Sequence, residues 1–349
     1  MIRSLSILLL FVCSLGYSQE TYLDTLKADL EVQEKPKQHL YNLLSSVKED
    51  YKLAVIYNKL GLHFQRESNL DSAFYCHNKA LEYALKVNNN NQEIGVSHNK
   101  IGIIYYYRGE LDSAIIFFKK SIPFYKDESL KANSYSNLAV MHKYNSSPDL
   151  AIENYIRAYD IFKEVKDTAK QIYLLGNIGA LYNDLVSFDK AEEYLNKGIL
   201  LAENANNKDG GMSCKANLAK TFTDKTEYDK AIPLLNEAIA YYEENENYQF
   251  LITNKNNLAS CYDEMGRKKE GLKVYHKVLE LMEATKIENN KEAILINIGS
   301  SYEELKEYNK AISYYTKAMH FAKTNGIVLR YESIYKSFAS VYQKMGKTD

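Results

Sequence analysis

The sequence contains no tryptophan, and only four of its 349 residues are proline and fifteen are glycine. So few helix-breaking residues leave little room for long loops and favour closely spaced helices. The charges nearly cancel, with 44 Lys and Arg against 45 Asp and Glu, which argues against a nucleic-acid partner. After the first 18 residues no apolar run is long enough to cross a membrane, so no transmembrane span is expected there.

The N-terminal residues differ in character from the rest of the chain. Arg3 is followed by an apolar run from Ile7 to Val12, and residues 16–18, Gly-Tyr-Ser, resemble a small-x-small cleavage site. This pattern predicts a signal peptide over residues 1–18 and an exported protein, either periplasmic or secreted. The alternative is a lipoprotein anchored through Cys13, although the residue before a lipidated cysteine is normally small and here it is Val12.

Three cysteines remain once such a peptide is removed, namely Cys76, Cys214 and Cys261. An odd number of cysteines cannot be fully paired within one chain. Each falls within a predicted helix, on or near its packed side, so we interpret all three as small buried hydrophobic residues. The sequence leaves open whether two of them form a disulfide.

The strongest pattern in the chain is a small residue that returns eight times, mostly at intervals of 40 residues. The series is Gly61, Gly102, Ala139, Gly179, Ala219, Ala259, Gly299 and Ala339. An aromatic residue or histidine follows each by three positions, and another small residue follows the first seven by twelve. A fixed period in this range indicates one supersecondary unit stacked on copies of itself. Such an array presents an extended surface rather than a chemical pocket.

Each unit reads as two amphipathic helices. Around Gly299, apolar residues such as Ile294, Ile298 and Tyr302 recur at helical spacing, and a second stripe begins at Ala311 after a polar break. Small residues at facing sites let two helices approach closely. The sequence therefore predicts an all-α chain of helical hairpins.

Two pairs of segments carry a family resemblance. Residues 177–182, Asn-Ile-Gly-Ala-Leu-Tyr, with 188–191, Phe-Asp-Lys-Ala, and their counterparts at 297–302 and 308–311 resemble the tetratricopeptide repeat (TPR) family, in its long-unit bacterial form. The resemblance covers roughly residues 53–346 and implies a right-handed superhelical α-solenoid of about seven full repeats with a C-terminal capping helix. The chain departs from the family in lacking its early tryptophan and closing proline, and in a period longer than the usual 34 or so.

The expected organisation follows from the repeat. Residues 1–18 are the signal peptide, 19–52 an N-terminal segment with a capping helix, and 53–349 the solenoid. Repeats are expected near 53–91, 92–129, 130–167, 168–207, 208–247, 248–287 and 288–326, before a final helix over 327–346. On that helix Ile334 and Val341 are expected to face the core, and Ser340 and Lys344 to belong to the polar outer face of a cap.

Two rows of polar residues follow the same period. An asparagine stands two positions before the small residue in five successive units, at Asn137, Asn177, Asn217, Asn257 and Asn297. Seven positions later the last four of these helices carry an acid, at Asp184, Asp224, Glu264 and Glu304. Seven residues make close to two helical turns, so both rows lie on one face of the first helices. The resemblance implies that this face lines the concave groove of the superhelix.

The asparagines have a chemical use on such a face. An amide side chain can donate to a carbonyl and accept from an N–H at once, which matches the backbone of an extended peptide. The row resembles the asparagine ladder in the TPR superhelix of O-linked N-acetylglucosamine transferase, and the acids would select a basic segment. The alternative is that the asparagines brace the next helix and the acids form a solvated face, and the sequence leaves both open.

The first units offer two further candidates. Lys59 and Lys100 take the asparagine position there, and with Arg66 they make these units basic and suited to a carboxylate. Tyr106, Tyr107 and Tyr144 could form an aromatic platform for a proline-rich segment or a sugar. The default alternative for the tyrosines is packing between hairpins.

No arrangement of residues predicts catalysis. The histidines lack metal-site spacing, there is no phosphate-binding glycine loop, and the neighbouring acids Asp263 and Glu264 point apart on a helix. We therefore predict a non-enzymatic exported scaffold, without cofactor or metal, that binds a protein or extended peptide, with a basic segment as the favoured partner. The alternative is an extracytoplasmic sensor or receptor module of a bacterial signal-transduction protein.

Overall fold

A computed structural model describes residue 26 and residues 36–87, 92–327 and 330–346. Within these ranges the chain forms sixteen α-helices and one short 3-10 helix, Ile122–Phe124, and no strand. No helix in this part of the chain is long and apolar enough to span a bilayer. The predicted signal peptide and the alternative lipid anchor at Cys13 lie outside the described residues.

The chain divides into two compact units between Asp167 and Thr168. The first unit contains α1 (Pro36–Ser46), α2 (Asp50–Arg66), α3 (Leu70–Val87), α4 (Gln92–Tyr107), α5 (Leu111–Ser121), α6 (Glu128–Tyr144) and α7 (Pro148–Glu164). The second contains α8 (Thr168–Asp184), α9 (Phe188–Asn204), α10 (Lys208–Asp224), α11 (Tyr228–Glu244), α12 (Tyr248–Glu264), α13 (Lys268–Thr285), α14 (Lys291–Glu304), α15 (Tyr308–Thr324) and α16 (Tyr331–Lys344). In each unit, consecutive helices pack against one another as hairpins.

Regular helix and turn lengths explain the 40-residue period. Helices α8 to α12 each have 17 residues, and three-residue turns join them, so two helices and two turns span one period. Each turn contains one residue in the left-handed region, such as Val186 with a φ of 57°. Its N–H bonds back to the helix end, in this turn to the carbonyl of Asn183 at 2.9 Å, which satisfies a terminal carbonyl.

The small residue of each first helix makes room for a large side chain on the second. The residue sixteen positions later is buried in all seven hairpins: His77, Phe118, Tyr155, Leu195, Leu235, Tyr275 and Tyr315. A Cβ on Gly179 would lie 2.5 Å from Leu195 Cγ, and one on Gly102 would lie 2.9 Å from Phe118 Cε1. Glycine is therefore needed where the partner side chain takes the space of a Cβ.

The final helix differs from its prediction on one side. Ile334 and Val341 are fully buried as expected. Ser340, however, is half-buried, and its hydroxyl lies 2.7 Å from Oε1 of Glu303 on α14. Lys344 is exposed as expected, but its ammonium lies 2.7 Å from the same oxygen. The prediction was wrong for Ser340 because the buried carboxylate of Glu303 needs charged and hydrogen-bonding partners, and the next first helix supplies them.

Candidate functional site

The asparagine row lies along the first helices. Asn137 is on α6 in the first unit, and in the second unit α8, α10, α12 and α14 carry one asparagine each: Asn177, Asn217, Asn257 and Asn297. All five side chains are half-buried. Successive first helices of the second unit contact one another, so its four asparagines stand close to the lines where these helices meet.

The five amides are not equivalent. Asn217 Nδ2 donates to the carbonyl of Gly176 at 3.3 Å, and Asn297 Nδ2 donates to Asn256 Oδ1 at 3.4 Å, so both brace the preceding first helix. The side chains of the other three make no hydrogen bond to a described residue; these are Asn137, Asn177 and Asn257. Their donors and acceptors are therefore free to meet a ligand.

The acidic row is exposed, but part of its charge is already neutralised. Asp224 accepts from Asn183 Nδ2 at 2.5 Å and pairs with Lys220 at 2.6 Å. Glu304 pairs with Lys268 at 2.7 Å. Asp184, the first acid of the row, is also exposed.

Glu264 differs from Asp224 and Glu304 in forming no ion pair with a described residue. It is exposed, although the positive charges of Lys220 and Lys268 also act on its carboxylate. Partial burial of its carboxylate raises the pKa of Glu264, and the negative charge of Asp224 raises it further. A cationic group of a ligand would relieve this repulsion, so Glu264 is the acid best placed to attract one.

Sequence reasoning missed a third row, directly before the acids. Asn183, Thr223, Asp263 and Glu303 are buried. Three of them reach the next first helix: Asn183 donates to Asp224, Asp263 accepts from Ser301, and Glu303 accepts from Ser340. Burial raises the pKa of Asp263. The signal was present as four polar residues at one repeat position, and its structural role is to join neighbouring hairpins.

The structure brings the predicted cations of the first unit together. Lys59 and Arg66 lie on α2 and Lys100 on α4. Burial lowers the pKa of Lys100, and the positive charges of Lys59 and Arg66 lower it further. Three cations that perturb one another form a basic patch on the first helices of this unit.

The aromatic platform residues also meet. The ring centroid of Tyr106 lies 5.5 Å from that of Tyr107 and 5.8 Å from that of Tyr144. Tyr107 is 63% exposed and Tyr144 is 54% exposed, so both are open to a ligand. Burial, and then the contact with the Tyr144 hydroxyl, raises the pKa of Tyr106 to about 12.

The three described cysteines are free, buried thiols. Burial raises the pKa of Cys76 to about 11 and that of Cys214 to about 12, and it also raises the pKa of Cys261. They are protonated at neutral pH and act as packing residues. Across the described ranges, no group of three or more His, Cys, Asp or Glu side chains is arranged to hold a metal ion.

A family model described as tetratricopeptide repeat matches residues 52–127, 130–204 and 248–324, which together make up more than half of the chain. No curated protein sequence matches the chain.

Solved structures share its architecture. Aspartyl phosphate phosphatase F from Bacillus subtilis is 17% identical, with 88% of this chain and 82% of that chain covered and a TM-score of 0.64. A Rap protein complexed with Competence and Sporulation Factor is 16% identical, with 85% and 82% covered and a TM-score of 0.60. A tetratricopeptide repeat protein from Parabacteroides merdae is 17% identical, with 83% and 99% covered and a TM-score of 0.60. At identities this low, the structural similarity shows a common helical-repeat fold and nothing further.

Proposed function

Because this chain belongs to the tetratricopeptide repeat family, we propose that it is a non-enzymatic scaffold that binds an extended peptide or protein segment. The binding face is formed by the first helices of the second unit. One observation carries the proposal: Asn177 and Asn257 occupy the same repeat position, half-buried, and their amides have no hydrogen-bond partner among the described residues. These amides are half-buried but still open to solvent, so a peptide backbone can replace water as their hydrogen-bond partner.

The spacing of the row fits an extended chain. Neighbouring packed helices lie about 10 Å apart, and a strand covers that distance in about three residues. The four first helices would therefore span a segment of roughly ten to twelve residues. The two free amides, Asn177 and Asn257, would meet the peptide backbone at residues about six apart, whatever its side chains.

Amides alone would bind weakly. Each hydrogen bond contributes about 1 kcal/mol net, and association costs several kcal/mol. The acidic row therefore has to add affinity and selectivity, and Glu264 in particular would favour a basic segment. The Rap protein complexed with Competence and Sporulation Factor supports this function, because a similar fold there holds a bound factor.

Export is also a proposal. The positive residue Arg3, the apolar run that follows it and the small-x-small segment at 16–18 support cleavage before Gln19. N-terminal sequencing of protein recovered from the periplasm or medium tests this. A mature chain that starts at Gln19 is expected, a lipid-modified N-terminal Cys13 would indicate the anchored form, and an uncut chain would contradict export.

An array of random peptides of about twelve residues tests the binding function. The array is probed with the wild-type protein, with an Asn177→Ala, Asn257→Ala double variant, and with an Asn196→Ala, Asn204→Ala control. The control residues are exposed on the second helix α9. Loss of the two amides should lower the affinity for the selected peptides about 10- to 30-fold without lowering the melting temperature of the protein. The control variant should bind these peptides normally. Equal binding by both double variants would contradict the proposal.

A further inference from the structure

The third hairpin, α6 and α7, lacks a pair of apolar residues that the other hairpins have. In three hairpins the aromatic residue of the first helix meets a ring twelve positions later, with centroids 5.2 to 5.6 Å apart: Tyr105 and Phe117, Tyr182 and Tyr194, Tyr302 and Tyr314. In three more the pair is Phe64 and Cys76, Phe222 and Leu234, and Tyr262 and Val274. In the third hairpin both residues are polar, His142 and Asn154.

A cleft of about 390 Å³ opens at this place, between the end of α5 and helices α6 and α7. Its apolar walls come from Ile122, Tyr135, Leu138 and Leu150. Helix α5 has only 11 residues and gives way to the 3-10 helix that contains Pro123, which has no N–H for a helical hydrogen bond. The end of α5 and the 3-10 helix therefore form one side of the cleft.

A lysine that covers the ring of the first helix in three other hairpins is also missing here. Eleven positions after the small residue, Lys190 lies 5.1 Å from the ring centroid of Tyr182, and Lys310 lies 5.0 Å from that of Tyr302. The third hairpin has Leu150 at this position, and its side chain is 45% exposed. An exposed leucine beside an open apolar cleft is typical of a surface that contacts another molecule.

The rim of the cleft is positively charged. Lys119 lines it and forms no ion pair with a described residue, whereas Arg157 pairs with Glu153 at 2.6 Å. Burial lowers the pKa of His142, and the charge of Lys119 lowers it further, so His142 is neutral at pH 7. One uncompensated cation therefore remains at the rim, and it favours an anionic group.

We propose that this cleft is a second binding surface, which takes an aromatic side chain of a partner protein flanked by acidic residues. The ring would replace the one that this hairpin lacks, between Leu138 and Leu150, and a neighbouring carboxylate would pair with Lys119. Buried aromatic anchors in apolar pockets carry much of the energy of protein interfaces. The cleft is lined by α5, α6 and α7, and none of its lining residues belongs to the asparagine row, so the two sites can be tested separately.

The absence of tryptophan from the protein makes the test direct. A capped pentapeptide, Asp-Glu-Trp-Glu-Asp, then contains the sole tryptophan in the sample, and its fluorescence reports entry into an apolar cleft. A His142→Tyr, Asn154→Tyr variant fills the cleft with the ring pair that Tyr182 and Tyr194 form elsewhere in the chain. It should fold, with an unchanged or raised melting temperature, and bind the peptide at least tenfold more weakly.

Two charge variants complete the test. Lys119→Glu should also lower affinity at least tenfold. Lys120→Glu makes the same charge change at a residue that lies over the Phe117 ring and does not line the cleft, so it should bind like the wild type. The Asn177→Ala, Asn257→Ala variant should bind this peptide normally, which separates the cleft from the first-helix face.

Three results would overturn the proposal. One is the absence of saturable binding of the peptide at millimolar concentration. Another is equal affinity of the filled variant and the wild type. The third is equal affinity for a Lys-Lys-Trp-Lys-Lys peptide, which would show an apolar contact without the charge preference that Lys119 predicts.

Discussion

The Oδ1 atom of Asp263 lies 2.5 Å from the position that a Cβ on Gly271 would occupy. The other six hairpins have alanine at the position of Gly271: Ala73, Ala114, Ala151, Ala191, Ala231 and Ala311. The buried carboxylate of Asp263 therefore occupies the space that an alanine methyl group takes in the other hairpins. Asp263 accepts a hydrogen bond from Ser301 on the next first helix, and Gly271 gives its carboxylate room.

The first prediction tests whether the stabilities contributed by Asp263 and Gly271 depend on each other. Gly271→Ala should lower the free energy of unfolding by about 1–3 kcal/mol, because the clash exceeds the gain of about 1 kcal/mol in helix propensity. In an Asp263→Thr background, which copies Thr223 and Ala231 of the preceding hairpin, the same change should cost less, because the carboxylate contact is gone while the contact of the new Cβ with the Ala259 carbonyl oxygen, at 2.9 Å, remains. Urea unfolding of the four proteins measures the coupling, and an equal cost of Gly271→Ala in both backgrounds would show that the two residues are independent.

The second prediction concerns Val186. Its φ of 57° strains a β-branched residue, and its side chain is 71% exposed, so little packing offsets the strain. Gly109 and Gly266 occupy the same position in other hairpins, and Gly346 occupies it after the final helix. Val186→Gly should therefore raise the free energy of unfolding by about 1 kcal/mol.

Val165 provides the control for this change. It lies at the end of α7 with a φ of −80°, where valine is unstrained. Val165→Gly should be neutral or destabilise by about 0.5–1 kcal/mol in the same denaturation experiment. If both substitutions shift stability in the same direction, strain at Val186 is not the cause.

The third prediction is a pH dependence that originates at His77. Its Nδ1 lies 2.9 Å from Asn58 Oδ1, and burial lowers the pKa of His77 to about 3, with a smaller contribution from the charge of Lys100. The unfolded chain binds a proton near pH 6.5, so the stability from neutral His77 is complete above that pH and is lost as the pH falls. Below pH 6.5 the loss should approach about 1.4 kcal/mol per pH unit.

His77→Phe isolates this effect, because Phe118 fills the corresponding site in the next hairpin. The difference in free energy of unfolding between wild type and variant should shift in favour of the variant from pH 7.5 to pH 5. A difference that stays constant over this range would mean that His77 accepts a proton in the folded protein.

The fourth prediction concerns the acidic row. Glu264→Gln should weaken binding of a lysine-containing peptide two- to fivefold, since one exposed pair contributes about 0.2–1 kcal/mol. Glu244→Gln, which removes an exposed acid at the end of the second helix α11, should have no effect. Raising the salt concentration should reduce the difference between the two variants, and a difference that persists in high salt would argue against an electrostatic role.

The repeat pattern predicted the helical hairpins well, because burying one stripe on each helix imposes a period on the sequence. It did not identify Leu195 as the partner of Gly179, since only the packed structure shows which residue of the second helix enters the gap. Ser340 was assigned to the wrong side of its helix for a related reason. A hydroxyl fits an exposed face or a buried acid equally well, and the position of Glu303 decides between them.

The candidate site was predicted in its positions but not in its contacts. The spacing placed the asparagines on the first helices, yet Asn217 and Asn297 use an N–H to brace a neighbouring helix, whereas Asn177 does not. The partners lie on the preceding first helix, at Gly176 and Asn256, so the position of each asparagine in the repeat does not show whether its amide is used. The sequence likewise does not reveal the cleft beside His142, because the ring pairs of the other hairpins form only in the packed structure.

Site-specific photocrosslinking tests the central claim most directly. A photoreactive amino acid is placed at position 177, at 257, or at 196 on the second helix, and the protein is irradiated with the peptides selected from the twelve-residue array. Crosslinks should form from 177 and 257, to peptide residues about six apart, and not from 196. Crosslinks from 196 with none from 177 or 257 would show that the first-helix face does not hold the peptide.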